Sequence, residues 1–222
     1  MPLAIFDLDN TLLAGDSDYL WGQFLVERGV VDQEAYEREN ERFYRDYQAG
    51  RLEIGAFLRF ALRPLAEHPI PTLYAWRDEF LRDKIEPLIL PAARALVERH
   101  RRRGDLLVVI TATNAFVTAP IVERFGIPHL IATEPEQVDG RYTGEVAGMP
   151  AFREGKVKRL DLWLAEMGCS LAGSTFYSDS HNDIPLLERV DHPVAVDPDP
   201  DLLAVARQRG WALMSLRQGG GH

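Results

Sequence analysis

One cysteine in 222 residues leaves no partner for an internal disulfide. Cys169 is therefore expected to be a small buried residue in a protein kept reduced. No apolar run approaches the ~20 residues that a membrane-spanning helix needs. The N-terminus carries neither a basic segment nor a long apolar one, so no signal peptide is expected. Positive charge is scarce: 25 Lys and Arg stand against 34 Asp and Glu, a net −9. A general nucleic-acid binder needs a basic surface for the phosphate backbone, and that class is set aside. A small phosphorylated molecule needs only a local positive site and stays open. Histidines and cysteine do not cluster at zinc spacings, and no internal repeat is present. These absences leave a cytoplasmic enzyme or binding protein of ordinary globular composition, without nucleic acid or membrane as partner.

What is present organises itself around Ile5-Phe6-Asp7-Leu8-Asp9-Asn10-Thr11-Leu12. The apolar run Leu3 to Leu8 reads as a buried strand, and two carboxylates interrupt its end. Residues two apart on a strand share a side, and a sharp turn after Asp7 would bring both carboxylates to one site. Two like charges that close need a cation or a shared proton. A strand followed by a helix N-cap at Asp9 or Asn10 is the plainer alternative.

From about Ser17 to Glu86 only helical periodicity is found: Tyr19 to Leu25, Asp32 to Tyr47, Leu52 to Leu65 and Leu73 to Lys84, with Gly50, Pro64, Pro69 and Pro71 as breaks. Four helices exceed what one βαβ crossover needs, so this block reads as an inserted cap. Packing directly on the sheet is the alternative. The α/β pattern resumes at Pro87, and the division falls into a core of residues 1–15 and 87–222 and a cap of 16–86. Pro91 to Arg103 is a helix stopped by Gly104, and its run His100-Arg101-Arg102-Arg103 suits a helix C-terminus better than a nucleic-acid patch. Leu106 to Ile110 is a strand followed by Thr111-Ala112-Thr113-Asn114, then a helix from Phe116 to Phe125. His129 to Ala132, Thr175 to Tyr177, Val194 to Val196 and Trp211 to Leu216 are further strands. Asp139-Gly140 marks a hairpin. Lys156 to Met167 is an amphipathic helix with Val157, Leu160, Leu164 and Met167 on one face, and Ile184 to Val190 and Leu202 to Arg207 are helices. The terminal Gly-Gly-Gly-His needs no role.

Four segments together resemble, in order, the signatures of the haloacid dehalogenase superfamily. Asp7-Leu8-Asp9-Asn10-Thr11-Leu12 matches the first, Thr111 after an apolar strand the second, and Lys156 before a helix the third, with Lys158 as competitor. Ser178-Asp179-Ser180-His181-Asn182-Asp183 matches the acidic fourth. The resemblance spans the chain. Its nearest form is the phosphoserine-phosphatase-like branch, whose helical cap lies between the first two signatures. It implies an α/β fold: a Rossmann-like, doubly wound parallel sheet with an inserted all-helical cap. It also implies a Mg²⁺-dependent phosphatase of a small phosphorylated metabolite, working through an aspartyl-phosphate.

The residue types suit that chemistry. Asp7, Asp9 and Asp179 are hard oxygen donors, and Mg²⁺ takes few carboxylates, several waters and a phosphate oxygen. The expected metal set is Asp7 and Asp179 with the Asp9 backbone carbonyl, and Asp183 orients metal waters or Lys156. Asp7 is the expected nucleophile, and Asp9 the acid toward the leaving alcohol and then the base toward water. Lys156 offsets charge, and Thr111 holds phosphate oxygens with the turn amides. Asp16, Thr111, Ala112, Lys156 and Asn182 are the substrate-binding candidates. A phosphotransferase or mutase, a haloacid dehalogenase, and a non-catalytic phosphate-binding or signalling module are the competing classes. Asp9 argues against the haloacid dehalogenase, and the cap against the non-catalytic module. A monomer and a homodimer are both compatible with the cap's aromatics.

The branch takes phosphoserine with an acidic residue soon after the first signature and an arginine from a cap helix. Asp16 stands at the first position, but the stretch Gly50 to Leu65 puts Ala61 at the second. Arg59 and Arg63 sit about 160° around the helix from it, on an expected solvated face. An amino-alcohol phosphate is therefore expected over phosphoserine, and histidinol phosphate first, with its ring against Phe57 or Tyr19. Arg77 is the residue that would restore a carboxylate site.

Overall fold

The computed structural model describes residues 1–217. The terminal Gly-Gly-Gly-His lies outside the described residues. β1 (Leu3–Phe6) is buried on both faces: Leu3 and Ile5 enter one hydrophobic cluster, Ala4 and Phe6 another. A parallel strand covered by helices on both sides reads as an unbroken apolar run, which is how Leu3 to Leu8 appears in the sequence.

The helical insert follows as α1 (Ser17–Glu27), α2 (Gln33–Gln48), α3 (Ile54–Glu67) and α4 (Ile70–Phe80). A π-helical turn, Leu81–Ile85, and a 3₁₀ turn, Glu86–Leu88, close it. Then come α5 (Pro91–Arg103), β2 (Leu106–Asn114), α6 (Ala115–Arg124) and β3 (His129–Thr133). The hairpin β4 (Pro135–Val138) and β5 (Arg141–Val146) leads to α7 (Glu154–Met167) and β6 (Thr175–Ser178). The chain finishes with α8 (Ile184–Leu187), β7 (His192–Val196), α9 (Pro200–Arg209) and β8 (Ala212–Met214).

Six strands form one parallel sheet in the order β3-β2-β1-β6-β7-β8. The chain winds outward from β1 in both directions, which puts the switch point at the carboxyl end of β1, where open α/β sheets bind ligands. Phe6 pairs with Val109 on one side and Tyr177 on the other. Asp7, the Thr111 segment and Asp179 therefore leave the sheet at the same edge.

Among the described residues no helix is long and apolar enough to cross a membrane. The basic run ending α5 is used within the chain. His100 is buried, its ring nitrogens each 2.7 Å from Asp105 and the Tyr177 hydroxyl, and Arg101 and Arg102 pair with Glu98.

The expected elements shift at several ends, each for a local reason. Glu53 caps α3 through Gly55 and Ala56, so the helix starts at Ile54 rather than Leu52, and it passes through Pro64 to Glu67. Pro71 lies in the first turn of α4, where a missing N–H costs nothing, so that helix begins at Ile70 instead of Leu73. β2 continues past Ile110 to Asn114 with a register irregularity between the two. α8 stops at Leu187 rather than Val190. Met167 is exposed, off the buried Leu160 and Leu164 face of α7, and Cys169 is only half-buried.

The two connections between sheet and insert run side by side. Leu13 bridges Ile89, and the Ala14 amide donates to the Leu88 carbonyl at 3.0 Å. Beyond them, side chains of α1, α3 and α4 join the same cluster as Ala4, Phe6 and Phe116. Trp21 of α1 anchors that seam, its ring 5.2 Å from Phe80 and 5.7 Å from Phe116 of α6. Trp21→Ala is expected to cost about 3–5 kcal/mol in urea unfolding. A loss below about 1 kcal/mol would show that the seam is held elsewhere.

Candidate active site

The turn after β1 is built by one carbonyl. Leu8 O accepts from the amides of Thr11, Leu12 and Leu13, and Asn10 takes a left-handed φ of 56°. Asparagine tolerates that region better than most side chains. Asp7 and Asp9 leave the strand on this turn and line one pocket together with Thr111, Ala112, Thr113 and Lys156. The pocket is roofed by the insert through Asp16, Asp18, Tyr19, Asn40, Phe43, Tyr44, Tyr47 and Phe57.

Lys156 lies in the first turn of α7 and is 4% exposed. Its Nζ is 2.8 Å from Asp7 Oδ1 and 2.8 Å from the Asp183 carboxylate. Burial works against its charge, but Asp183 and Asp7 outweigh that, and the ammonium titrates above the usual lysine range. Lys158 is exposed, which removes the competitor. The preceding Gly155 is obligatory: a Cβ there would stand 2.2 Å from the Pro150 carbonyl oxygen. The Ser178 hydroxyl donates to Asp183 at 2.7 Å, so both Asp183 oxygens are spoken for within the chain.

Asp9 turns toward the insert rather than toward Asp179. It accepts from the Ser17 amide at 2.7 Å and the Thr113 hydroxyl at 2.8 Å, with Thr111 Oγ1 at 3.5 Å. Burial, and after it the Asp16 charge, push its carboxyl up to about 6. Burial pushes Asp7 up to about 7, with Asp183 and Asp9 adding to it and Lys156 opposing.

Asp7 and Asp179 meet across Thr11. Its hydroxyl lies 3.0 Å from Asp179 Oδ1 and 3.4 Å from Asp7 Oδ2, yet has one proton to give. Burial first, then Asp7, hold the Asp179 carboxyl well above the usual range. Two hard oxygen donors thus converge with too little positive charge between them. Among the described residues no three Asp, Glu, His or Cys side chains form a ready-made cage. Mg²⁺ asks for less, being held through one or two carboxylates, waters and substrate oxygens, and this donor set fits it.

Asn182 does not reach the pocket. Its Oδ1 accepts from Arg153 Nε at 2.9 Å and its Nδ2 donates to Ser180 Oγ at 3.3 Å. Arg153 also donates to the Gly50 carbonyl, and the Tyr47 hydroxyl lies 3.3 Å from Ser180 Oγ, so these groups clasp the insert to the core. Asp16 caps α1, accepting from the amides of Asp18 and Tyr19, and still lines the pocket. Thr11, Thr113, Asp18 and Arg153 were not singled out by sequence. Thr113 stands two residues beyond Thr111 on β2, so same-side spacing was the available signal for it, whereas Asp18, in the first turn of α1, offers none of that kind.

The sequence model of the haloacid dehalogenase-like hydrolases matches residues 4–188. The chain is 48% identical over 219 residues to a histidinol-phosphatase of Neisseria meningitidis serogroup C, covering 97% of this chain and 99% of that one. It is 32% identical over 224 residues to the phosphoserine phosphatase SerB1 of Mycobacterium tuberculosis, covering 96% and 70%. A protein of unknown function from Bordetella pertussis superposes with a TM-score of 0.92 at 48% identity, over 97% of this chain and 98% of that one. A phosphoserine phosphatase solved as a phospho-aspartyl intermediate analogue superposes with a TM-score of 0.71 at 19% identity, over 97% and 93%, and shares the fold.

The raised carboxyls have a consequence for stability. A group whose folded pKa is raised holds its proton in the fold after the unfolded chain has released it near pH ~4. Stability then falls as pH climbs through the interval between the two values. With divalent cations chelated, Asp179→Asn is expected to stabilise the protein by about 1 kcal/mol at pH 7.5 and to have no effect near pH 4, read by thermal unfolding. A destabilised Asn variant at pH 7.5 would mean that the fold favours the Asp179 anion.

Proposed function

Because the chain belongs to the haloacid dehalogenase-like hydrolases, and is a phosphatase of that kind, we propose that it is a Mg²⁺-dependent phosphomonoesterase of a small amino-alcohol phosphate, with histidinol phosphate as its substrate. The observation that carries the substrate reading is the charge of the pocket. Lys156 is the only lysine or arginine among the described residues lining it, and Asp16 and Asp18 line it too. A substrate carboxylate would be desolvated there against like charge and without a cation, at a cost of several kcal/mol. An ammonium group would be welcome. Ala61 is buried, Arg59 and Arg63 are exposed, and Arg77 is committed to the Phe116 carbonyl at 3.1 Å and to the rings of Tyr74 and Phe116. None of the three arginines lines the pocket. The 48% identity to a protein named histidinol-phosphatase supports the same reading. Tyr19, Phe43, Tyr44 and Phe57 offer an imidazole an aromatic wall.

In the proposed reaction Asp7 attacks phosphorus and becomes the aspartyl-phosphate. Lys156, already on Asp7, neutralises the phosphoryl oxygens, and Asp183 and Ser178 keep its ammonium in place. Mg²⁺ held by Asp7 and Asp179 would supply further charge neutralisation. The Thr111 hydroxyl and the turn amides take the remaining oxygens. Asp9 gives its proton to the leaving alkoxide and then receives one from water. A carboxyl raised to about 6 is suited to both tasks near neutral pH. Its hydrogen bonds from Ser17 and Thr113 fix it to the insert and to β2 at once, so a shift of the cap would move the acid.

Phosphate release from histidinol phosphate, phosphoserine and glycerol phosphate, with Mg²⁺ and with chelator, tests the reading. Histidinol phosphate is expected to show the highest kcat/KM, chelation to stop turnover, and Ca²⁺ to restore it poorly. A clear preference for phosphoserine would overturn the substrate, and full activity after exhaustive chelation the metal.

Asp7→Asn is expected to lose at least about a thousandfold in kcat with its unfolding transition intact, while beryllofluoride labels Asp7 in the wild type. Asp9→Asn is expected to slow both half-reactions and let the phosphorylated enzyme accumulate. Substantial turnover in the Asp7 variant would rule out the covalent route.

A further inference from the structure

The pocket is more acidic than phosphoryl transfer requires. Asp7 and Asp9 act on the phosphate, and Asp16 is assigned to the ammonium in the reading above. Asp18 has no task in that reading. An acidic residue in a first helical turn often serves the helix dipole, but Asp16 already caps α1 and this turn faces a pocket instead of open water. Asp18 is held by one side-chain hydrogen bond, from Asn114 Nδ2 at 3.3 Å, near the long limit for such a bond.

That bond has a direction. Asn114 is the last residue of β2, and its Oδ1 caps α6 through the Val117 amide at 3.2 Å. It therefore fixes Asp18 against the strand that carries Thr111 and Thr113. Asp16 and Asp18 both line the pocket, on either side of Ser17, whose amide Asp9 holds at 2.7 Å. The same pocket is walled by Tyr19 and Tyr44, with ring centroids 4.9 Å apart, and by Asn40, whose Nδ2 is taken by the Tyr19 carbonyl.

An amino-alcohol phosphate with a basic ring carries two cationic groups beyond the ester, the amine and then the ring nitrogen, and the pocket offers two carboxylates beyond Asp7 and Asp9. We propose that Asp18 is a specificity-determining residue that binds the ring nitrogen of a basic heteroaromatic substrate between the aromatic side chains of the cap, while Asp16 takes the ammonium. This assignment rests on the amino-alcohol phosphate reading. It makes the ring's nitrogen, and not its apolar surface alone, the group that the cap selects.

The test compares kcat/KM for histidinol phosphate and phenylalaninol phosphate, which share the ester and the amine and differ in the ring. Wild type is expected to favour histidinol phosphate at least about tenfold, the worth of one charge-assisted hydrogen bond. Asp18→Asn is expected to cut that ratio about tenfold, chiefly through KM. Asp16→Asn is expected to weaken both substrates and leave their ratio in place. Because the readout is a ratio on one enzyme sample, a partly folded variant does not disturb it. An unchanged ratio in Asp18→Asn, or a wild-type ratio near one, overturns the assignment while leaving the amino-alcohol reading standing. A wild type that prefers phosphoserine to both compounds overturns that reading itself.

Discussion

A single buried ammonium sets the terms for the rest of this protein. Lys156 is almost wholly removed from water, and a cation so placed is tolerable only with close partners and satisfied donors. Asp7 and Asp183 provide them at 2.8 Å each, one directly after β1 and the other from the 3₁₀ turn beyond β6, its neighbour in the sheet. The cluster is then one ammonium against two carboxylates, with Asp179 facing Asp7 across Thr11. Every further feature of the site follows from that excess of negative charge. The fold tolerates it through raised carboxyl pKa values. In the proposed chemistry a divalent cation would offset the negative charge that a phosphoryl group meets beside Lys156.

The excess extends outward into the helical insert, and the architecture explains how. The insert is attached by two adjacent strands of chain, bridged at Leu13 and Ile89. It is also clasped at its far side by Arg153 on Gly50 and Tyr47 on Ser180. Asp9 is the group most exposed to its position, since one of its oxygens is bonded to the first residue of α1 and the other to β2. Asp9, the proposed acid–base residue, thus belongs to the sheet by sequence and to the cap by hydrogen bonding. A cap that moves by an ångström moves this carboxylate as well, which in the proposed reaction couples substrate recognition to chemistry.

Much of this was legible in the chain. β1 is apolar on both faces and therefore unbroken in sequence. α5 carries its proline at the start and its glycine, with φ 77°, at the stop. The acidic loop after β6 lies where an apolar strand ends. What stayed hidden depended on tertiary partners. Thr113 became an Asp9 ligand because β2 runs on past Ile110 with an irregular register, and no residue-level signal distinguishes it from Thr111. Thr11 looks like a motif filler until Asp179 is brought against it. Arg153 finds its partners 29 and 103 residues away. Asn182 reads as a substrate ligand from its place in the acidic loop, but in the 3₁₀ turn His181–Asp183 its Oδ1 accepts from Arg153.

The division of labour between sheet and cap bears on how such a protein acquires its substrate. The groups proposed to do chemistry all leave strand ends or the first turn of α7, where a shift would disturb Lys156 and Asp7 together. The groups proposed to meet the rest of the substrate stand on α1, α2 and α3, with four side chains, Asn40, Phe43, Tyr44 and Tyr47, from α2. Where the family resemblance places a carboxylate-binding arginine, α3 carries a buried Ala61, and the first turn of α1 carries Asp18 beside Asp16. Those two positions together set the sign of the charge that the cap offers without touching Asp7. Recognition by charge sign is cheap to change in this way, whereas recognition by shape would require repacking the aromatic cluster of Tyr36, Phe43, Phe57 and Phe60, whose rings touch across α2 and α3 at 4.5 to 5.4 Å. Packing as tight as that resists piecemeal substitution. The cap is therefore expected to keep its aromatic walls across a range of substrates and to distinguish among them with carboxylates and arginines at its inner turns.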